Sequence, residues 1–361
     1  MRFIPNMITM DKINEFYKKK LFTSKNTKRN YRRGIELFFE IINKDIDEYF
    51  KNNPKYESDI IKYWESLEKN NTQMTRKNRI NAIKQFLQFM DKKTRDLEIW
   101  ETISYRLRNI QSETDDMALD RHDIKKILQY GDVCTRSMFL TMASCGCRIG
   151  EIVQLELDDI YFDEKPTRIH FRAEITKTKR KRDSYISNEA TESIKAWYKV
   201  RDKYLESAIG KTTFSYGKKR KDNRIFPMTD VNARTKWHTV INRAGYNQRD
   251  KTTNRYRCHP HCLRKFFRSY LNNVDLAEHL MGHQGYLSSY RQYDKKQLGK
   301  EYLKYMQNVT ILETSPDLTD VHKELKEKDQ QINEMQQEMQ EIRMELLEVK
   351  LKQVQELQRK K

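Results

Sequence analysis

In four stretches of the first ninety residues, Asp11–Lys20, Thr27–Ile42, Ser58–Lys69 and Thr75–Met90, apolar side chains recur at three- and four-residue steps. In the last of these, Ile80, Ile83, Phe86, Leu87 and Met90 fall on one face of a 3.6-residue period. A strand would need strict alternation, so the pattern admits only amphipathic helices packed on one another. Ser24 and Thr72 stand where such helices can be capped, and Pro54 interrupts. A helical domain is therefore expected over residues 1–92. Residues 93–117 are charge-mixed and end in the acidic QSETDDM. They read as a linker, with a short helix near Leu97–Leu107.

A second domain is expected over residues 118–310. Asp120 can cap a helix running Arg121–Tyr130. An apolar helix from Thr135 to Ser144 stops at CGCRIGE, and helical periodicity resumes from Glu151 to Leu157. The period then switches. Arg168–Glu174 alternates as RIHFRAE, TKTKRKR makes a polar turn and SYIS returns, which is the pattern of a hairpin with a basic tip. Ala190–Leu205 is helical again, and Gly210–Asn223, with two glycines and a basic run, reads as a loop. Asp294 and Gln297 form a capping-box pattern, so another helix is expected from Lys295 through Leu298 and Tyr302. The fold class is thus mainly α with a small β-sheet. Beyond Pro316, Leu318, Val321, Leu325, Ile332, Met335, Met339, Ile342, Leu346 and Val349 alternate three- and four-residue steps, broken only by Lys328. A C-terminal coiled-coil helix is expected over 318–361, joining subunits or recruiting a coiled-coil partner.

Charge narrows the partner. The chain carries a formal net charge of +19 while 37% of it is hydrophobic, so it can bury cores and still present a basic surface. A surface of that kind points to a polyanion, with nucleic acid the commonest. The C-terminal helix holds nine basic and ten acidic residues, which leaves the excess positive charge on the body. Two clusters begin helices of the first domain: Lys28, Arg29, Arg32 and Arg33, then Arg76, Lys77, Arg79 and Lys84. With Lys179 and Arg180 at the hairpin tip, they are the candidate contacts to a DNA backbone. No run approaches the ~20 apolar residues that span a bilayer. Five cysteines, an odd number, argue against a disulfide framework. The expected setting is the cytoplasm, on the nucleoid, without membrane contact.

The chemistry concentrates between Cys258 and Tyr293. His261 stands three residues before Arg264, so both side chains can face one point of a helix surface. Cleaving a phosphodiester without a metal requires fixed cations for the charge that grows on non-bridging oxygens. It also requires a nucleophile and an acid for the departing oxygen. Arg148, Lys177, His261, Arg264, His283 and a nearby tyrosine supply these residue types.

The boxes SCGCRIGEIVQLELDDI, ITKTKRKR, HPHCLRKFFRSYL, LMGH and SSYRQYDKKQL resemble, in that order, the signature regions of the tyrosine recombinases, the integrase family of site-specific recombinases. The resemblance covers roughly residues 118–306 and is fainter over the first domain, which looks like that family's core-binding domain. It implies two domains closing on double-stranded DNA as a clamp, four protomers in a synaptic complex, a 3′-phosphotyrosyl intermediate and no cofactor. It assigns Arg148 and Arg264 to the scissile phosphate, His283 to a further hydrogen bond, Lys177 to the leaving oxygen and His261 to proton transfer. Glu151 would orient Arg148. Two departures stand out. Lys265 replaces a histidine common in the family, and neither Tyr290, seven residues after His283, nor Tyr293, ten after, matches the usual interval. The position of the following helix favours Tyr290, with Tyr293 second and Tyr286 third.

Other readings share these residues. Cys145, Cys147, Cys258, His259, His261 and Cys262 would form a zinc site only if both segments flanked one pocket, and their spacings are not those of common zinc modules. A type IB topoisomerase or telomere resolvase would use the same site. A non-catalytic architectural DNA-binding protein would keep the fold without the chemistry.

Overall fold

The computed structural model describes residues 7–22, 24–108, 110, 114–209, 222–283 and 294–312. The chain divides into two compact units, one of residues 1–116 with 248–257, the other of 117–247 with 258–361.

The first unit is helical: α1 (Met7–Lys19), α2 (Lys25–Ile42), α3 (Ile46–Tyr49), α4 (Tyr56–Asn70), α5 (Gln73–Met90) and α6 (Ile99–Arg106). Both expected caps are present, Ser24 accepting from the Thr27 amide at 3.3 Å and Thr72 from the Thr75 amide at 3.4 Å. The main contact is α2 against α5, and it is close because Gly34 has no side chain: a Cβ there would stand 3.0 Å from that of Ala82. The core is aromatic, with Phe16, Phe38, Phe39, Tyr63 and Phe86 all fully buried. Phe38 meets Tyr63 edge-on at 5.3 Å between ring centroids. Each such ring contributes about 1.5–3 kcal/mol by leaving water.

The stretch expected to be a linker joins this core. After a 3₁₀ turn at Lys92–Asp96, α6 buries Trp100 and Ile103, and Leu107 follows them. The Trp100 indole donates to the Thr94 carbonyl at 2.7 Å, tying the turn to the helix. The charged residues of this stretch lie outside while three apolar ones point in, so its composition resembled a linker's although its buried face is that of a helix. Residues 114–116 then bond to the 248–257 loop of the same unit. The Asp115 amide donates to Asp250 at 3.2 Å, and Arg257 Nε donates to the Asp115 carbonyl at 3.0 Å. Residues 248–257 thereby group with the first unit.

The second unit comprises α7 (Arg121–Gln129), α8 (Val133–Cys145), α9 (Ile149–Ile152), β1 (Ile160–Tyr161), β2 (Arg168–Phe171), β3 (Arg182–Tyr185), α10 (Asn188–Ile209), α11 (Asp230–Ala244), α12 (His261–Tyr270), α13 (Val274–Met281) and α14 (Lys295–Tyr305). Helix α8 carries a single charged residue, Arg136, and is accordingly central: eleven of its thirteen residues are buried, and α7, α9, α10, α11 and α12 all pack on it. The hairpin is present as an antiparallel β2–β3 pair with Phe171 opposite Arg182, and β1 adds an edge strand that alternation over two residues could not announce. The first strand of the hairpin is shorter than RIHFRAE suggested, because Ala173–Ile175 turns as a 3₁₀ helix. The helix expected to run to Leu157 ends at Ile152. Helix α14 begins at Lys295 behind the Asp294–Gln297 capping box, as the pattern required. Its Tyr302 is fully buried and bonds to Ser144 of α8 at 2.9 Å.

Among the described residues no helix is long and apolar enough to cross a membrane. The expected coiled coil over 318–361 and most of the basic loop at Gly210–Asn223 lie outside the described residues.

Candidate active site

The site forms where α8 ends. Its C-cap, Gly146, has a left-handed φ of +62°, and a Cβ there would lie 2.5 Å from Phe267 and 2.9 Å from Met281. Only glycine satisfies both demands. The turn brings the Gly146 carbonyl against Arg264 of α12, whose Nη1 donates to it. Arg264 is 3% exposed, and its Nη2 donates to the Met281 carbonyl at 3.1 Å. Burial first, then repulsion from Arg148, lowers its pKa to about 10, which leaves it charged at neutral pH.

Two residues beyond Gly146, Arg148 caps α9. Glu151, 2% exposed, accepts from the Arg148 amide at 2.8 Å and from its Nη1 at 3.1 Å. The carboxylate expected to orient this arginine does so. A second arginine reaches it from β3: Arg182 Nη2 donates to Glu151 Oε2 at 2.7 Å, and Arg182 Nε donates to the Leu280 carbonyl at 3.0 Å. Burial opposes ionisation of Glu151. The attraction of Arg182, followed by hydrogen bonds from Arg182 and Arg148, outweighs it and holds the carboxyl below its ordinary range.

His283 follows α13, turned by Gly282 at φ +73°. Its Nε2 lies 2.6 Å from Arg264 Nη2, and its Nδ1 meets a carboxylate oxygen of Glu278, which also pairs with Arg268. Burial raises the Glu278 carboxyl, and the bonds from Arg268 and His283 more than offset this, so it is ionised at neutral pH. An ionised partner requires a proton on Nδ1.

The structure therefore bonds Arg264 to His283, with Glu278 behind, and sets Arg148, bonded to Glu151 together with Arg182, near enough for its charge to act on Arg264. His261 opens α12 one turn before Arg264, exposed, with its ring stacked at 6.3 Å on that of His259. Lys177 is exposed on the hairpin turn and holds no hydrogen bond or ion pair with the described residues. Lys179 and Arg180 are exposed beside it, Lys179 donating to the Glu174 carbonyl at 3.0 Å. Tyr286, Tyr290 and Tyr293 lie outside the described residues.

Of the basic residues in the first unit, several have partners within it. Arg32 pairs with Glu36, Arg33 with Glu40 and Arg76 with Glu68, while Arg79 donates to Asn71. Lys28 and Lys84 sit over the rings of Tyr17 and Trp100. Arg29 is exposed and Lys77 half-buried. Exposed pairs of this kind are worth about 0–1 kcal/mol, so they hold these side chains only weakly.

Sequence reasoning missed Arg182, Glu278 and the two glycines. Arg182 was hidden in the run TKTKRKR, where nothing distinguishes the residue facing inward from its neighbours at the tip. The cysteines nominated for zinc are all buried, and none is in a disulfide. Among the described residues no group of three or more His, Cys, Asp or Glu side chains is arranged to hold a metal ion.

The model of the phage integrase family matches residues 118–298, and that of the phage integrase N-terminal SAM-like domain matches residues 14–93. No curated protein matches the chain. Among solved structures, a lambda integrase (75–356) dimer bound to a COC′ core site is 13% identical with a TM-score of 0.55, over 79% of this chain and 98% of that one. The Tn1549 transposon integrase (82–397) in complex with circular intermediate DNA is 14% identical with a TM-score of 0.53, over 81% of this chain and 98% of that one. At such identities the likeness is one of fold. The match over residues 118–298 is of another kind, since it spans the segments that carry Arg148, Arg264 and His283, and by it the chain belongs to the phage integrase family.

Proposed function

We propose that this chain is a site-specific DNA recombinase of the tyrosine type, which cleaves and rejoins strands through a 3′-phosphotyrosyl intermediate. The observation that carries the reading is the convergence of Arg264 with His283, 2.6 Å apart, beside an Arg148 whose charge is felt at Arg264. Two guanidiniums and an imidazole at one point suit the non-bridging oxygens of a phosphodiester, where charge grows as a nucleophile attacks. Arg148 and Arg264 hold the phosphate. His283 adds a further hydrogen bond, its ring held through Nδ1 by Glu278. Lys177 protonates the departing 5′ oxygen and His261 moves the nucleophile's proton. Tyr290 attacks, with Tyr293 the runner-up. The bond energy stays in the covalent link, so a 5′ hydroxyl from a partner duplex reverses the step without ATP.

The partner is double-stranded DNA, gripped by the basic clusters of the first unit and the hairpin tip. Both solved relatives named above are DNA complexes, which supports that choice. Exchange between two sites needs four protomers, and the heptads of 318–361 supply a helix to join subunits or recruit a coiled-coil partner. The place of action is the cytoplasm, on the nucleoid, in integration or excision of a mobile element or in dimer resolution.

Full-length protein incubated with nicked suicide duplexes tiled across the DNA flanking its gene tests this. A covalent adduct resistant to denaturation is expected, lost in Tyr290→Phe. An adduct lost only in Tyr293→Phe moves the nucleophile, whereas no adduct on any duplex leaves an architectural protein.

A further inference from the structure

We infer that Arg182 is a positioning residue of the strand-transfer site, one that neutralises Glu151 so that Arg148 keeps its charge for DNA, and that holds the turn presenting His283; this rests on the recombinase reading above. Two guanidiniums, those of Arg148 and Arg182, bond the carboxylate of Glu151, and Arg264 lies near enough to feel its charge. The distances assign that carboxylate chiefly to Arg182, whose two nitrogens reach its two oxygens at 2.7 and 3.3 Å, against one contact of 3.1 Å from the Arg148 side chain. Exposure divides them the same way. The Arg148 side chain is 27% exposed and that of Arg182 10%, so Arg148 is the one that DNA reaches.

Arg182 is also built in. Its guanidinium lies over the Phe171 ring at 4.1 Å, opposite it in the hairpin register. Its Nε grips the Leu280 carbonyl, and Gly282 leaves room for its stem, since a Cβ there would stand 2.7 Å from Arg182 Cδ. One side chain thus links the hairpin, the carboxylate behind Arg148 and the turn before His283. Without it, Arg148 would be the main remaining counter-ion of a buried carboxylate, and a phosphate would have to compete for it.

The test uses full-length wild type, R182M, R182K, E151Q and R182M/E151Q on the suicide duplex that wild type captures. R182M is expected to slow single-turnover adduct formation about 100-fold, the effect of losing one preorganised group. Duplex affinity should change less than about threefold, the split expected when binding is spared. R182K should recover only part of the rate, because an ammonium cannot span Glu151 and the Leu280 carbonyl together. R182M/E151Q should be about tenfold faster than R182M, since removing the carboxylate frees Arg148. Side-chain NMR gives a readout independent of activity: the Arg148 guanidinium resonances should shift and exchange more slowly with water in R182M, and return in the double variant. R182M within about threefold of wild type, a double variant no faster than R182M, or unmoved Arg148 resonances would each overturn the role. Should R182M not fold, R182K carries the same comparisons with and without E151Q. Arg148 resonances that respond while wild type forms no adduct would sink the recombinase reading and leave the Arg182–Glu151–Arg148 linkage standing.

Discussion

Arg264 Nη2 and His283 Nε2 lie 2.6 Å apart, with Glu278 against the other nitrogen of the same imidazole. In this arrangement Glu278 holds the proton on Nδ1, and Nε2 accepts from the arginine. Glu278→Gln removes that support. Single-turnover cleavage is expected to fall about tenfold to a hundredfold, the worth of one hydrogen bond to a charged group. Duplex binding measured alongside should hold, and an unchanged rate would remove Glu278 from the mechanism.

Two glycines four positions apart should respond differently to alanine. Gly146 has φ +62° and a Cβ there would strike Phe267, whereas a Cβ at Gly150 meets nothing within 4 Å. Gly146→Ala should destabilise the protein by about 1–3 kcal/mol from strain and overpacking. It should also slow cleavage, because the Gly146 carbonyl holds Arg264. Gly150→Ala should be near neutral, and thermal melts of both variants make the comparison.

Glu151 contributes a defined acid sensitivity. Its carboxyl lies below the ordinary range in the fold, so its stabilisation is complete above the unfolded carboxylate range and lost as pH falls through the folded value. Glu151→Gln should therefore melt lower than wild type at neutral pH, and the gap should close on acidification. Melting temperatures of both proteins between about pH 7 and pH 3 bracket the carboxylate range. A constant gap would mean that the carboxylate does not ionise with its two arginines.

Trp100 tests where the first unit ends. It is 3% exposed and bonded to Thr94. Trp100→Ala should cost about 3–5 kcal/mol, as for a core aromatic. A residue in a linker would cost almost nothing, so denaturant unfolding distinguishes the two.

The order of helices, their caps and the hairpin were legible in the sequence because each depends on neighbours a few residues away. Ser24, Thr72, Asp120 and Asp294 all cap the helices expected of them, and the change of period at Arg168 marks the sheet. Arg148, Arg264 and His283 were nameable because their boxes recur in a recognisable order. Position along the chain could not say which of the basic residues at the hairpin faces inward. That depends on register, since Arg182 lies opposite Phe171 and therefore under Leu280 and Glu151. Nor could it reveal that residues 93–107 bury Trp100, because a short helix with a charged outer face has a linker's composition until something packs on its inner one. Local chemistry along the chain determined the elements, and the order of the boxes named the catalytic candidates. Tertiary packing alone decided the charge balance among Arg148, Arg182, Arg264 and Glu151, because it depends on distances between segments far apart in sequence.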